Sequence, residues 1–323
     1  TFSKPVAAEF YSAYKALGNI NSLIVDLRDN AGGAITSAID LTGLFLRKGD
    51  VIVSTEGRGN TTIYDKKKDG PLLDIPLVVL INENSASASE IFAGAIQDHD
   101  RGVVVGHTSF GKGLVQRVLD LKDGTGVCLT IARYKTPSGR VIQRPYSMGD
   151  REEYMFDTMR YMHPDSIPHD DELLFSTLKR GRKVYGGGGI TPDIYINIDS
   201  IELSSGLLKA YNDAKFEHSA IDILDRVSTE SIVEQYPTSK AFNDKFTLSN
   251  ELKNIFYHNT GIEAEMLSDI DSEFIEAMLL ALIAEPIYGD YARHYIYGIR
   301  FDYMMRRAIE IASDEELMRN TLL

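Results

Sequence analysis

From Ile20 to about Ile198 the chain alternates short apolar runs with amphipathic stretches, the pattern of an α/β layer. Leu23 to Arg28 (LIVDLR) predicts a strand ending in Asn30-Ala31-Gly32-Gly33, and Ile35, Ile39, Leu41 and Leu44 then fall mostly on one side of a predicted helix. Ile75 to Asn82 predicts a second, buried strand that feeds into Ser85-Ala86-Ser87-Ala88-Ser89-Glu90. Ile91, Phe92, Ala95 and Ile96 follow at three- and four-residue spacing, so a helix begins close to Ser87. Val103 to Val105 is a third short strand. A Gly-rich turn with Phe110-Gly111-Lys112-Gly113 comes next, then strands around Leu114 to Val118 and Val127 to Tyr134, the last stopped by Thr136-Pro137-Ser138-Gly139. Beyond about Ile201 the pattern changes. Phe274 to Ile283 and Phe301 to Ile311 show apolar spacing of three and four without strand-like alternation, which predicts a separate helical domain.

Two segments are less regular. Residues 144–183 are polar and charged, with scattered aromatics and Met148, Met155 and Met159, a pattern expected of a packed satellite helix. Gly186 to Gly189 are four consecutive glycines followed by Ile190-Thr191-Pro192-Asp193. No strand-GxxxxGK[ST]-helix context surrounds them, so a sharp turn or a close backbone approach is expected rather than a phosphate cradle.

Composition narrows the function classes. The chain has 323 residues, 43% hydrophobic and 25% charged, the balance of a globular protein with one large or two ordinary domains. Residues 1–200 carry 25 acidic and 23 basic side chains, residues 201–323 carry 22 and 11, and the whole has net charge −13. The acidic balance argues against a nucleic-acid partner, and the shift near residue 200 predicts a domain boundary. Lys66-Lys67-Lys68, the only basic run, is expected to be a solvated loop tip. The longest clean apolar stretches, Ile75 to Ile81 and Ala277 to Ala284, are too short to cross a bilayer, and no N-terminal export signal is visible. A single cysteine, Cys128, lies in an apolar strand-like run and excludes an internal disulfide.

Two residues stand out chemically. Ser87 lies where a strand meets a helix N-terminus, where first-turn N–H groups have no helical partners and the helix dipole favours negative charge. The same residues, Ser87-Ala88-Ser89-Glu90, spell a capping box, which needs no chemistry. Lys112 sits between two glycines that let the backbone pass close to another element. A lysine serves as a base only when neutral, so such a role needs surroundings that disfavour its charge; an exposed loop lysine is the plainer alternative. There is no G-x-S-x-G, H-E-x-x-H or C-x-x-C. His99 or His107 could partner a serine, but neither has a distinctive motif. His169-Asp170-Asp171 could contact a metal only if three adjacent residues converged on one ion, so no metal is expected.

LIVDLRDNAGG (residues 23–33), NSASASEIFAGAIQDH (84–99), VVVGHTSFGKGLVQ (103–116) and ARYKTPSGRVIQ (132–143), in that order and spacing, resemble the C-terminal processing, or tail-specific, serine proteases. The resemblance covers roughly residues 1 to 198, and the segment from Tyr185 to Asp193 and the acidic helical tail look like those of longer bacterial members. It implies an α/β fold with a crotonase/Clp-protease-like core at 1–200, polar insertion at about 144–183, followed by an all-helical domain at 201–323. By the family's spacing of twenty-five positions before the lysine, it implies Ser87 as nucleophile, with Lys112 as base and Gln116 supporting the lysine. It also implies the backbone N–H groups of Gly33 and Ala88 as oxyanion donors, with Glu90 a cap and supporting partner. The implied activity is a two-step acyl transfer that hydrolyses peptide bonds of protein substrates near their C-termini, without cofactor, in a periplasm or cell envelope. An acyl-CoA enzyme of the crotonase type and a non-catalytic scaffold on the same fold are the alternatives. Members usually carry an upstream PDZ domain, and Thr1 onward (FSKPVAAEFYSAYK) looks like the first core segment after it.

Overall fold

The computed structural model describes residues 1–146, 171–197 and 202–323. Met148, Met155 and Met159, and with them the satellite helix expected there, lie outside the described residues. The chain forms two compact units, residues 1–196 with 307–323, and residues 197–306. The architecture is mixed α/β with a helical C-terminal region, as expected.

The first unit is built on two four-stranded sheets. One is parallel, in the order β1 (Leu23–Asp26), β4 (Leu77–Ile81), β5 (Val103–Gly106), β10 (Ile194–Tyr195). β4 and β5 are buried at every position, which is why they read as unbroken apolar runs rather than alternating ones. Helices α1 (Val6–Ala16), α2 (Ile35–Thr42) and α3 (Ala88–Asp98) contribute to the core of this unit, in which Phe45 meets Phe92 edge-on with ring centroids 5.6 Å apart. Phe2 ties the segment before α1 to the first glycine turn, donating its N–H to Gly32 O at 2.9 Å and accepting from Ala34 N–H at 3.0 Å.

The other sheet is antiparallel, in the order β3 (Asn60–Asp65), β2 (Val51–Gly57), β7 (Gly126–Lys135), β6 (Leu114–Asp120). β2 pairs with β7 only at residues 132–135, so the rest of the β6–β7 hairpin has two strands and exposes Val118, Leu119, Val127, Leu129 and Ile131. Cys128, whose apolar neighbours suggested an interior strand, is exposed there. Two short strands, β8 (Leu174–Ser176) and β9 (Lys183–Tyr185), form a separate hairpin. The basic run is not uniformly solvated. Lys67 is exposed and pairs with Asp65 at 2.5 Å, whereas Lys66 is half-buried and desolvation lowers its pKa.

The second unit is all helical: α4 (Ser205–Asn212), α5 (Lys215–Leu224), α6 (Thr229–Gln235), α7 (Ser239–Lys245), α8 (Asn250–Thr260), α9 (Asp269–Tyr288) and α10 (Asp290–Arg300), with α11 (Tyr303–Ser313) and α12 (Glu315–Thr321) following. Its core is nearly all apolar, centred on α9, whose residues from Ala277 to Ala284 are all buried. No helix among the described residues is long and apolar enough to cross a membrane.

Candidate active site

Ser87 is placed by β4 and α3. The chain leaves the buried strand, turns through residues 82–86 and enters the helix at Ala88, with Ser87 at φ 56°, ψ −110°. A non-glycine residue in so sparsely populated a region costs about 1–3 kcal/mol, so its surroundings must hold it there. The Ser87 N–H donates to Glu90 Oε2 at 2.8 Å, and the Ser87 carbonyl accepts from the N–H groups of Glu90 and Ile91, each at 3.0 Å. The outline of a capping box is present, but the Glu90 N–H goes to the Ser87 carbonyl and the serine hydroxyl makes no cap hydrogen bond.

The neighbouring serines serve the scaffold. Ser85 Oγ donates to Leu27 O at 2.7 Å and accepts from Asn82 N–H at 3.0 Å, and Ser89 Oγ donates to Asn30 O at 2.7 Å. Both are fully buried and lash the Ser87 turn to the turn after β1. Ser87 alone of the three is half-exposed.

Gly32 makes that close approach feasible. At φ +96°, a Cβ there would lie 2.5 Å from Ala86 O, 2.7 Å from Ala88 N and 2.9 Å from Ser87 Cβ, so only glycine fits. The Gly32–Gly33 peptide therefore lies against the Ser87–Ala88 turn. Among the described residues neither the Gly33 nor the Ala88 N–H donates to a protein group.

Lys112 is brought in by the turn before β6. Glu90 Oε1 accepts from Gly111 N–H at 2.7 Å and from Ser109 Oγ at 2.6 Å, and Oε2 accepts from Lys112 N–H at 2.9 Å as well as from Ser87 N–H. Burial pushes the Glu90 carboxyl up, against four hydrogen bonds that pull it down. The Tyr134 hydroxyl reaches the Lys112 carbonyl at 2.7 Å and the Ser87 carbonyl at 3.1 Å. Ser87 and Lys112, distant in sequence, thus share two backbone partners.

The Lys112 side chain lines a cavity of about 1390 Å³ together with Asp29, Asn84, Phe110, Gln116 and Arg144. Gln116 is exposed on β6 opposite Thr130, on the wall of the same cavity. Among the described residues no hydrogen bond joins the Lys112 ammonium to the Ser87 hydroxyl or to Gln116.

Both candidate histidines are committed elsewhere. His99, at the far end of α3 and about 18 Å from Ser87 at 1.5 Å per helical residue, bonds Val51 O through Nε2 at 2.7 Å. His107 bonds Glu83 Oε2 at 3.1 Å and Ile196 O at 2.9 Å, and stacks on Tyr195. Of the His169-Asp170-Asp171 cluster, His169 and Asp170 lie outside the described residues; among the described residues no acid, His or Cys cluster has the arrangement of a metal site.

Two parts of the site had no reading in the sequence, and a third was read only as a turn or close approach. Tyr134 is one. A second is the ion pair of fully buried Arg140 with Asp98, at 2.7 Å, extended by Gln97 Oε1 at 2.6 Å and by Ser138 N–H to Asp98 at 2.9 Å. It fastens the TPSGR segment to the C-terminal end of α3. The third is the glycine run, where Gly189 (φ +92°) would set a Cβ 2.4 Å from Ser109 O, the close backbone approach expected of it. Ile190 N–H then donates to Ser109 Oγ at 2.7 Å, and Asp193, its carboxyl pushed up by burial, accepts from Val104 N–H, Gln97 and Arg182. Two of the quoted segments therefore act as scaffold for the Ser109–Glu90 bond. Their signal was polar residues fixed within otherwise apolar motifs.

Known proteins are similar to parts of this chain. A C-terminal processing peptidase of the Tetradesmus obliquus chloroplast is 40% identical over 143 residues, covering 43% of this chain and 30% of that protein. The carboxy-terminal-processing protease of Bartonella bacilliformis is 47% identical over 126 residues, 38% of this chain and 29% of that protein. Chloroplastic carboxyl-terminal-processing peptidase 2 of Arabidopsis thaliana is 35% identical over 182 residues, 55% of this chain and 33% of that protein. The chain spans a third or less of the length of these relatives. A solved photosystem II D1 C-terminal processing protease aligns over 62% of this chain and 42% of its own, at 27% identity and a TM-score of 0.44. Residues 1–150 match the sequence profile of peptidase family S41.

Proposed function

We propose that this chain is the catalytic core of a serine endopeptidase that cleaves protein substrates near their C-termini through a Ser87–Lys112 acyl-enzyme mechanism. The observation that carries the reading is the Ser87 turn: a serine at a helix N-terminus, held at φ 56° with no cap hydrogen bond from its hydroxyl and its backbone tied to that of Lys112 through Glu90. Neutral Lys112 takes the hydroxyl proton as Ser87 Oγ attacks the peptide carbonyl. The N–H groups of Gly33 and Ala88 receive the oxyanion, and their freedom from protein partners supports that role. The lysine then protonates the leaving amine, water hydrolyses the acyl-enzyme, and Gln116 orients the lysine from the cavity wall. The Ser87–Lys112 and Gln116 contacts form when substrate fills the cavity, as catalytic hydrogen bonds often tighten only in the complex. Residues 201–323 are acidic and, where described, helical, and the bacterial relatives fit action in a periplasm or cell envelope. The test is hydrolysis of an unfolded protein or a chromogenic peptide: Ser87→Ala and Lys112→Ala each lose activity, and turnover at native rates by either variant overturns the reading.

A further inference from the structure

We infer that Tyr134 is a positioning residue for the Ser87–Lys112 pair, acting on the two carbonyls opposite the two amides that Glu90 holds. The inference rests on the Ser–Lys reading above. Glu90, on α3, accepts from the N–H groups of Ser87 and Lys112 at 2.8 and 2.9 Å. Tyr134, on β7, donates toward the carbonyls of the same two residues at 3.1 and 2.7 Å. Both peptide groups flanking each proposed catalytic residue are thereby fixed from two different elements, one helix and one sheet.

The donor is itself well anchored. Tyr134 is 1% exposed, its N–H donates to Gly113 O at 3.0 Å, and its strand pairs with β2 through Thr55. The phenol has one proton for two acceptors, so the nearer Lys112 carbonyl receives most of it and the Ser87 carbonyl shares it. The Ser87 carbonyl also accepts from two helix amides, so removing the hydroxyl falls chiefly on the lysine turn. That turn then loses the bond that sets where the Lys112 side chain starts. A displacement of about 1 Å in a reacting group costs on the order of 100-fold in rate.

The experiment is steady-state cleavage of a chromogenic peptide by the whole chain, at a temperature where a melt shows each variant folded. Tyr134→Phe is expected to lower kcat about 10- to 100-fold with KM within twofold of native. A fluorinated tyrosine at position 134, with a phenol that ionises near neutral pH, gives a second test that keeps ring and hydroxyl. Its kcat is expected to fall relative to native as the phenol loses its proton. Native kcat in fully folded Tyr134→Phe, or a fluorotyrosine profile that follows the native one, overturns the positioning role. Ser87→Ala separates the two claims. If it is inactive while Tyr134→Phe is native-like, only the positioning role fails; if it is active, the Ser–Lys reading itself fails.

Discussion

Serine and threonine begin helices in both parts of the chain, and they do so differently. In residues 202–306, Ser228, Thr238, Ser249 and Ser268 cap α6, α7, α8 and α9 with φ of −74°, −137°, −64° and −72°, and each hydroxyl accepts an amide three residues on at 3.1–3.3 Å. Ser268 even completes a capping box with Asp271. Ser87 begins α3 within the same box sequence, yet stands at φ 56°, takes the Glu90 and Ile91 amides on its carbonyl and gives its own N–H to Glu90. Where a hydroxyl serves as a cap, the backbone is relaxed and the residue is structural. Where the backbone is strained and the hydroxyl makes no cap bond, as at Ser87, we propose that the serine serves chemistry.

Exchanging the two serines for alanine breaks the comparison most sharply. Ser87→Ala should lower kcat/KM at least about 1000-fold and leave the melting temperature nearly unchanged, since no cap bond is lost. Ser268→Ala should cost about 1 kcal/mol of stability, read by denaturant titration, and leave kcat/KM in place. Equal loss of stability in both variants would make Ser87 an ordinary cap.

Gly32→Ala sharpens it from the other side of the turn. A methyl 2.5 Å from Ala86 O and 2.7 Å from Ala88 N must push the Gly33 and Ala88 amides apart. Loss of oxyanion donors costs about 100- to 1000-fold in kcat, so a comparable fall is expected, with KM changed far less. Unchanged kcat would remove these amides from the mechanism.

Much of this site was legible because strands β4 and β5 are buried on both faces and so appear as apolar runs, and because α3 starts where its period starts. The β2–β3 hairpin was not seen: Val51-Ile52-Val53 is short, and its continuation into Asn60–Asp65 is mostly exposed and polar. Cys128 and its apolar neighbours misled, since apolar sequence predicts a strand without saying what covers it. Tyr134 and the Arg140–Asp98 pair were illegible for a different reason. Their partners lie 47, 22 and 42 positions away, and only the folded sheet brings them together. The single glutamate that could be read as a local cap holds four donors from two segments.

Glu90→Gln has the smallest expected effect. Burial raises the Glu90 carboxyl above its ordinary value of 4.5, so its contribution to stability is present below about that pH and is lost as pH rises through the raised pKa. Glutamine does not titrate, and its NH2 group faces two of the four donors, at a cost of about 1–3 kcal/mol. The stability gap between native and variant should therefore be widest near pH 4.5 and narrow toward pH 8 in urea titrations. A gap that widens with pH would mean that the four hydrogen bonds outweigh burial.

The account's central claim is that Ser87 is a nucleophile activated by Lys112, and covalent labelling tests it most directly. The native chain is treated with a serine-directed fluorophosphonate, and the adduct is located by peptide mass spectrometry. The account predicts one adduct, on Ser87, that disappears in Lys112→Arg, because arginine keeps its proton and cannot accept the serine's. An adduct on Ser85 or Ser89, or undiminished labelling of Ser87 in Lys112→Arg, would contradict it.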